Sequence, residues 1–133
     1  MFYACYSLKV APELLAKNLG VSCYEDMFRQ SGIIYAPELP AETLKMRCYS
    51  EMFRECYSLI LPPKKLPAKK LEKECYSDMF VNCYKLTRKS SLPFIVNDYE
   101  KKKYMPGMYY QCNLIKNYED PNQMYEEDVF DNL

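Results

Sequence analysis

The sequence predicts a mainly α-helical protein, in which three short helical repeats form an α-hairpin or three-helix bundle and an irregular Tyr/Pro-rich C-terminal arm follows. Three observations lead to this prediction. An internal repeat occurs three times, apolar side chains recur at three- and four-residue steps within each copy, and this spacing is lost after Ser90. A chain of 133 residues is expected to form one domain, with or without a tail.

The repeat has copies at about residues 11–31, 36–56 and 63–83. All three share the pattern L-x4-L-x3-C-Y-x-[DE]-M-F, so each copy places two leucines nine and four positions before a Cys-Tyr pair. Chance does not produce this match three times in so short a chain. The pattern predicts that each copy is the same structural unit.

The apolar spacing predicts a helix in each copy, near residues 12–30, 41–61 and 67–88. In the second copy Leu44, Cys48, Met52 and Cys56 follow one another at four-residue steps, and charged side chains fill the other positions. Pro40 stands where a proline can open a helix. The expected division is therefore a helical repeat domain at 1–89 and an extended arm with an acidic C-terminus at 90–133.

The arm is rich in tyrosine and is interrupted by prolines, so no long periodic segment is predicted there. Its aromatic side chains would be left in water unless they contact another surface. The candidates for such an interaction are Tyr104, Pro106, Tyr109, Tyr110 and Tyr118.

Composition excludes several classes of function. The chain has 18 basic and 18 acidic residues, which argues against a general nucleic-acid binder because such proteins carry surplus Lys and Arg. It has no His, which removes the commonest general base and metal ligand, so we expect no enzyme, no cofactor and no metal site. The apolar runs fall far short of the roughly 20 residues that span a bilayer.

The seven cysteines include two pairs with seven residues between their members, Cys48 with Cys56 and Cys75 with Cys83. On two antiparallel helices, Cys48 would face Cys83 and Cys56 would face Cys75, which allows two nested disulfides. Cys5 and Cys23 are candidates for a third bridge, or these two and Cys112 are free thiols. Two alternatives stay open: the thiols are reduced and packed as small apolar side chains, or four thiolates bind zinc.

Paired cysteines on an antiparallel helical hairpin, with aromatic residues between them, resemble the coiled-coil-helix-coiled-coil-helix proteins of the mitochondrial intermembrane space. The resemblance covers residues 41–88, and it departs from the family pattern, which commonly has nine residues between the cysteines. It implies a small protein without a cleaved presequence that is oxidised by the mitochondrial disulfide relay. It also implies an accessory subunit or assembly factor of a respiratory complex.

The resulting hypothesis is a non-catalytic structural or accessory subunit, which binds protein subunits of a mitochondrial inner-membrane complex from the intermembrane space and is at most peripheral to the membrane. A second hypothesis is a reduced cytoplasmic repeat protein that binds a filament lattice such as a microtubule, because a period of about 25 residues suits repeated binding sites. A third is a thiol-based zinc or redox protein.

Overall fold

The repeats stack as successive coils of a solenoid in the computed structural model, which describes residues 2–115. Within this range the first coil is 10–34, the second 35–60, the third 61–87 and the fourth 88–115, and residues 2–9 end a preceding partial coil. Isolated parallel bridges join equivalent positions, from Val10 to Tyr35, from Tyr35 to Leu61 and from Thr43 to Lys70. Each coil therefore packs mainly on its sequence neighbours, as in other repeat proteins.

One half of each coil, which we call the turn half, is a run of β-turns with a four-residue period. In the second coil the amides of Cys48, Met52 and Cys56 donate to the carbonyls three residues earlier, at 3.2, 3.2 and 3.1 Å. The third residue of each turn has a positive φ: 56° at Arg47, 55° at Glu51 and 59° at Glu55. A positive φ at this position is typical of type II turns.

The backbone N–H groups that do not bond within the turns form hydrogen bonds to the next coil. In the second coil every second residue from Arg47 to Glu55 donates its N–H to a carbonyl of the third coil, for example Tyr49 to Cys75 at 3.0 Å and Phe53 to Met79 at 2.9 Å. The same alternation joins the first coil to the second and the third to the fourth. In the turn half, turn bonds and inter-coil bonds together provide partners for the backbone N–H groups without helices or extended strands.

The core is a set of columns in which equivalent side chains of successive coils lie on one another. Phe28, Phe53, Phe80 and Tyr109 form one column, with ring centroids 5.7, 5.4 and 5.2 Å apart and planes within 8° of parallel. All four side chains are at most 2% exposed. The repeated Met-Phe pair thus supplies the apolar burial that holds the coils together.

The predicted helices at 12–30, 41–61 and 67–88, and with them the three-helix bundle, are wrong. In the part of the chain that the structure describes, the one helix is α1, Asp98–Tyr104, and extended pairing is limited to isolated bridges. The error has a physical cause. A four-residue turn period buries positions such as Cys48, Met52 and Cys56, and over two turns this spacing is nearly the same as the 3.6-residue period of a helix.

The fourth coil contains α1 and then returns to the turn pattern. Asn97 caps α1 by accepting the amide of Glu100 at 2.8 Å. Gly107, with φ 68°, takes the place that Asp78 has in the third coil. A Cβ at Gly107 would overlap the Asp78 carboxyl group, so a glycine fits this close approach.

The domain boundary at 89/90 stays a prediction. Residues 90–115 stack on the third coil, and Met105, Met108 and Cys112 are buried in the shared core. The acidic C-terminus lies outside the described residues.

Candidate protein-docking face

The other half of each coil, which we call the straight half, has an apolar inner side and a variable outer side. Leu39, Ala41 and Leu44 of the second coil are at most 2% exposed. Between them Glu42 and Thr43 face solvent. Because bridges align the straight halves, their outer side chains form a continuous face across the coils.

The beginning of this face is apolar. Val10 is 80% exposed and Tyr35 is 58% exposed, and Leu61 continues the same bridged column with a half-buried side chain. Ile34 and Ile60 precede Tyr35 and Leu61 and are also half-buried. We call these five residues the apolar stripe.

Exposed tyrosines border the apolar stripe where the turn half ends. Tyr57 and Tyr84 are 45% and 44% exposed, and their rings stack with centroids 5.5 Å apart. Tyr6, at the equivalent place before the first coil, is 63% exposed. Contiguous exposed apolar surface of this kind is typical of sites where a protein binds other proteins.

A groove with a volume of about 400 Å³ crosses the apolar stripe. Its lining combines apolar and charged side chains: Tyr35, Ala36, Glu38, Leu61, Pro62, Lys64 and Arg88. One Glu38 carboxylate oxygen accepts the backbone amide of Lys64 at 3.3 Å. The groove thus has an apolar wall beside two basic side chains and one acidic side chain.

Four lysines continue the outer face of the third coil beyond the groove. Lys64, Lys65, Lys69 and Lys70 are all exposed, and none forms an ion pair with a described residue. Lys65 and Lys70 lie in bridges to Ser91 and Thr43, which places them on the straight half. We call these four residues the lysine row.

The turn half has a different outer surface, in which charges neutralise one another. Arg47 contacts Glu25 at 2.6 Å and Glu74 at 3.2 Å, and so joins three coils. Arg29 lies 3.5 Å from Asp26 and 3.6 Å from Glu51. The only cluster of acids found close enough to share an ion in the described range is Glu25, Asp26 and Glu51, and these arginines already pair with it.

All seven cysteines lie in the described range, and all are free thiols in the structure. The structure stacks equivalent cysteines and does not place them face to face. The Cys56, Cys83 and Cys112 thiols each donate to a backbone carbonyl, of Phe28, Phe53 and Phe80 respectively, at 3.0 Å. The antiparallel facing from which Cys48–Cys83 and Cys56–Cys75 were predicted does not occur, and the disulfides themselves stay a prediction.

Burial makes most of these thiols poor nucleophiles. Desolvation raises the pKa of Cys48 and Cys56 to about 11 and of Cys75 and Cys112 to about 12. Desolvation also raises the pKa of Cys83 well above its ordinary value. Because the thiolate is the nucleophilic form, these five thiols react more slowly with soluble reagents than an ordinary cysteine does. Cys23 is exposed, and Cys5 is half-buried.

The predicted interaction residues are not together on one surface. Tyr109 is 2% exposed and belongs to the aromatic column, whereas Tyr110 is 50% exposed on the turn half. Tyr104 and Pro106 are half-buried, and their carbonyls accept the amides of Tyr76 and Asp78 at 2.9 Å. Tyr118 lies outside the described residues.

The apolar stripe and the lysine row were not among the predicted interaction sites. One sequence signal could have found the apolar stripe. Val10, Tyr35 and Leu61 occupy equivalent places just before the Pro-containing start of each repeat, so an apolar residue recurs there outside the shared pattern. Helical spacing hid this signal because it placed Ile60 and Leu61 at the end of the helix predicted at 41–61.

No helix among residues 2–115 is both long enough and apolar enough to span a membrane. Comparisons with protein-family models, with curated proteins and with solved structures found no match to this chain.

Proposed function

We propose that this chain is a non-catalytic protein-binding solenoid, which acts as a structural subunit by docking a partner protein on its straight half. The observation that carries the proposal is the apolar stripe. The exposed Val10 and Tyr35 and the half-buried Leu61 form one bridged column, beside the stacked Tyr57 and Tyr84. Burying such a surface against a partner is favourable because apolar area leaves water.

The other chemistry of the molecule supports a binding role. The buried thiols have raised pKa values, and five acids of the turn half pair with arginines: Glu25, Asp26, Glu51, Glu55 and Glu74. Tyrosine is also a frequent contributor to binding energy at protein interfaces, since it offers a large contact area with few rotatable bonds.

The location of the partner assembly is a separate matter. The intermembrane-space hypothesis used a helical hairpin, which the structure replaces with stacked coils, so the proposal does not depend on that compartment. Stacked coils also suit the filament hypothesis, because the equivalent positions Val10, Tyr35 and Leu61 repeat along one axis. A mitochondrial inner-membrane complex and a filament lattice are the two candidate partners under this proposal.

Site-specific photocrosslinking in the cells that produce the protein tests the proposal. A photoreactive phenylalanine analogue at Tyr35 should give a discrete crosslinked species, and the substitution Leu61→Arg should abolish it. The same analogue at Tyr110, a tyrosine of similar exposure on the turn half, is the matched control and should give no such species. Equal crosslinking from both positions, or persistence of the species in Leu61→Arg, would contradict the proposal.

A further inference from the structure

We propose that the lysine row, Lys64, Lys65, Lys69 and Lys70, together with the apolar stripe, binds an extended acidic segment of a partner protein that also carries large apolar side chains. This inference rests on the proposed function and specifies the chemistry of the partner. Charge is distributed unevenly along the chain, although the net charge is zero. Between residues 61 and 115 there are eleven basic and five acidic residues.

The lysine row is available to a partner. Its four side chains are exposed and form no ion pair with a described residue, whereas Arg29, Arg47 and Arg54 are all engaged by acids on the turn half. The row lies on the same straight segment as Leu61 and Pro62, and it is continuous with the groove that Lys64 lines. A partner that covers the groove therefore reaches the lysines without changing direction.

The neighbouring coils determine how wide the partner can be. On one side Glu42 lies next to the row, since its carbonyl accepts the amides of Lys69 and Lys70 at 3.0 and 3.4 Å, and Glu38 lines the groove beside Lys64. On the other side residues 88–97 contain no acid, and Ile95 is 86% exposed. The lysine row thus lies between an acidic border and a border without acids, which carries Arg88 and the exposed Ile95.

An extended peptide fits between these borders, because neighbouring extended backbones lie about 4.8 Å apart. Its carboxylates would lie over the lysine row while its large apolar side chains contact Leu61 or Ile95. A nucleic-acid duplex or a membrane surface covers several coils at once, and would bring phosphates against Glu38 and Glu42. The geometry therefore favours an acidic, partly apolar protein segment over these other polyanions.

Fluorescence anisotropy with the full-length protein tests the inference. The probe is a labelled synthetic peptide of Glu-Glu-Leu repeats, and the comparison ligands are a Gln-Gln-Leu peptide, duplex DNA and phosphatidylserine vesicles. The Glu-containing peptide should bind more tightly than the comparison ligands, and its affinity should fall as salt is added.

Two variants with the same change in net charge separate a specific row from general attraction. Replacing Lys64, Lys65, Lys69 and Lys70 with Gln should weaken binding about tenfold, because four exposed ionic contacts are lost together. Replacing the exposed lysines at 9, 17, 45 and 85 with Gln should leave the affinity nearly unchanged. Equal losses in both variants would overturn the inference, as would tighter binding of DNA or vesicles than of the peptide.

The two proposals fail differently. If crosslinking at Tyr35 depends on Leu61 but the acidic peptide does not bind, the docking face stands and the acidic partner is wrong. If the peptide binds through the lysine row but Tyr35 gives no crosslinked species in cells, the apolar docking function is wrong.

Discussion

The Phe53 ring lies on the Phe80 ring with centroids 5.4 Å apart and an angle of 8° between the planes. The two residues are 27 positions apart in the sequence and occupy the same place in consecutive coils. Their contact shows how the repeat generates the fold: each copy cannot bury its own Met-Phe pair, and stacking the copies creates one continuous core.

Truncating the centre of this column should destabilise the whole array. Phe53→Ala removes a fully buried ring that contacts Phe28 and Phe80, so we expect a loss of about 3–5 kcal/mol in the free energy of unfolding. Chemical denaturation measures this loss. Tyr57→Ala, which truncates an exposed ring in the same coil, is the control and should cost much less. Similar losses for both variants would show that the column is not the core.

A glycine and an alanine at Asn82 should distinguish the turn half from a helix. Asn82 has φ 61°, where glycine is favoured over alanine by about 1 kcal/mol, whereas in a helix alanine is favoured by about the same amount. Asn82→Gly should therefore be more stable than Asn82→Ala in thermal or urea unfolding. The reverse order would support the helix predicted at 67–88.

The carboxyl groups of Asp26 and Glu55 should respond to pH with opposite signs. Burial, with the nearby Glu51 charge, raises the pKa of Asp26, so its contribution to stability is lost as the pH rises through that raised value. A hydrogen bond from Gln30 lowers the pKa of Glu55, so its contribution is present above the ordinary value and is lost as the pH falls.

Two isosteric variants measure this difference. At neutral pH Asp26→Asn should stabilise the protein and Glu55→Gln should destabilise it, each by about 0.5 kcal/mol or less because solvent screens these partly exposed charges. Thermal unfolding from acidic to neutral pH should show both effects disappear at the acidic end. A destabilising Asp26→Asn substitution would contradict the raised pKa.

Thiol labelling should divide the cysteines by burial. In the native protein Cys23 should react quickly with a thiol-specific reagent, and the buried Cys48, Cys56, Cys75 and Cys83 should react only after unfolding. Mass spectrometry of labelled peptides, with and without reductant, gives the count at each position. Protection that disappears only when reductant is added to the unfolded protein would instead reveal disulfides and restore the oxidised hypothesis.

The turn period is the reason that the sequence suggested the wrong local structure. The four-residue spacing of Cys48, Met52 and Cys56 fits both the predicted helix and the observed turns. Non-glycine residues such as Arg47, Glu51 and Glu55 occupy the positive-φ positions of the turns. Glycine or asparagine there would have indicated turns, but charged residues favour a helix by propensity. The hydrogen bonds between coils, which join residues about 26 positions apart, stabilise this unusual backbone together with the turn bonds and the stacked core.

The sequence by itself determined the repeat, its copies and the identity of the residues that the core would bury: the Leu, Cys-Tyr and Met-Phe positions of the second and third copies are buried or half-buried, as their apolar character requires. The tertiary structure alone decided that the copies form stacked turns, that equivalent cysteines lie in columns, and that Tyr35 and Leu61 share an exposed face with the lysine row. The physical reason is that burial depends on composition, whereas the backbone conformation of each copy depends on hydrogen bonds to its neighbours, which a local pattern does not contain.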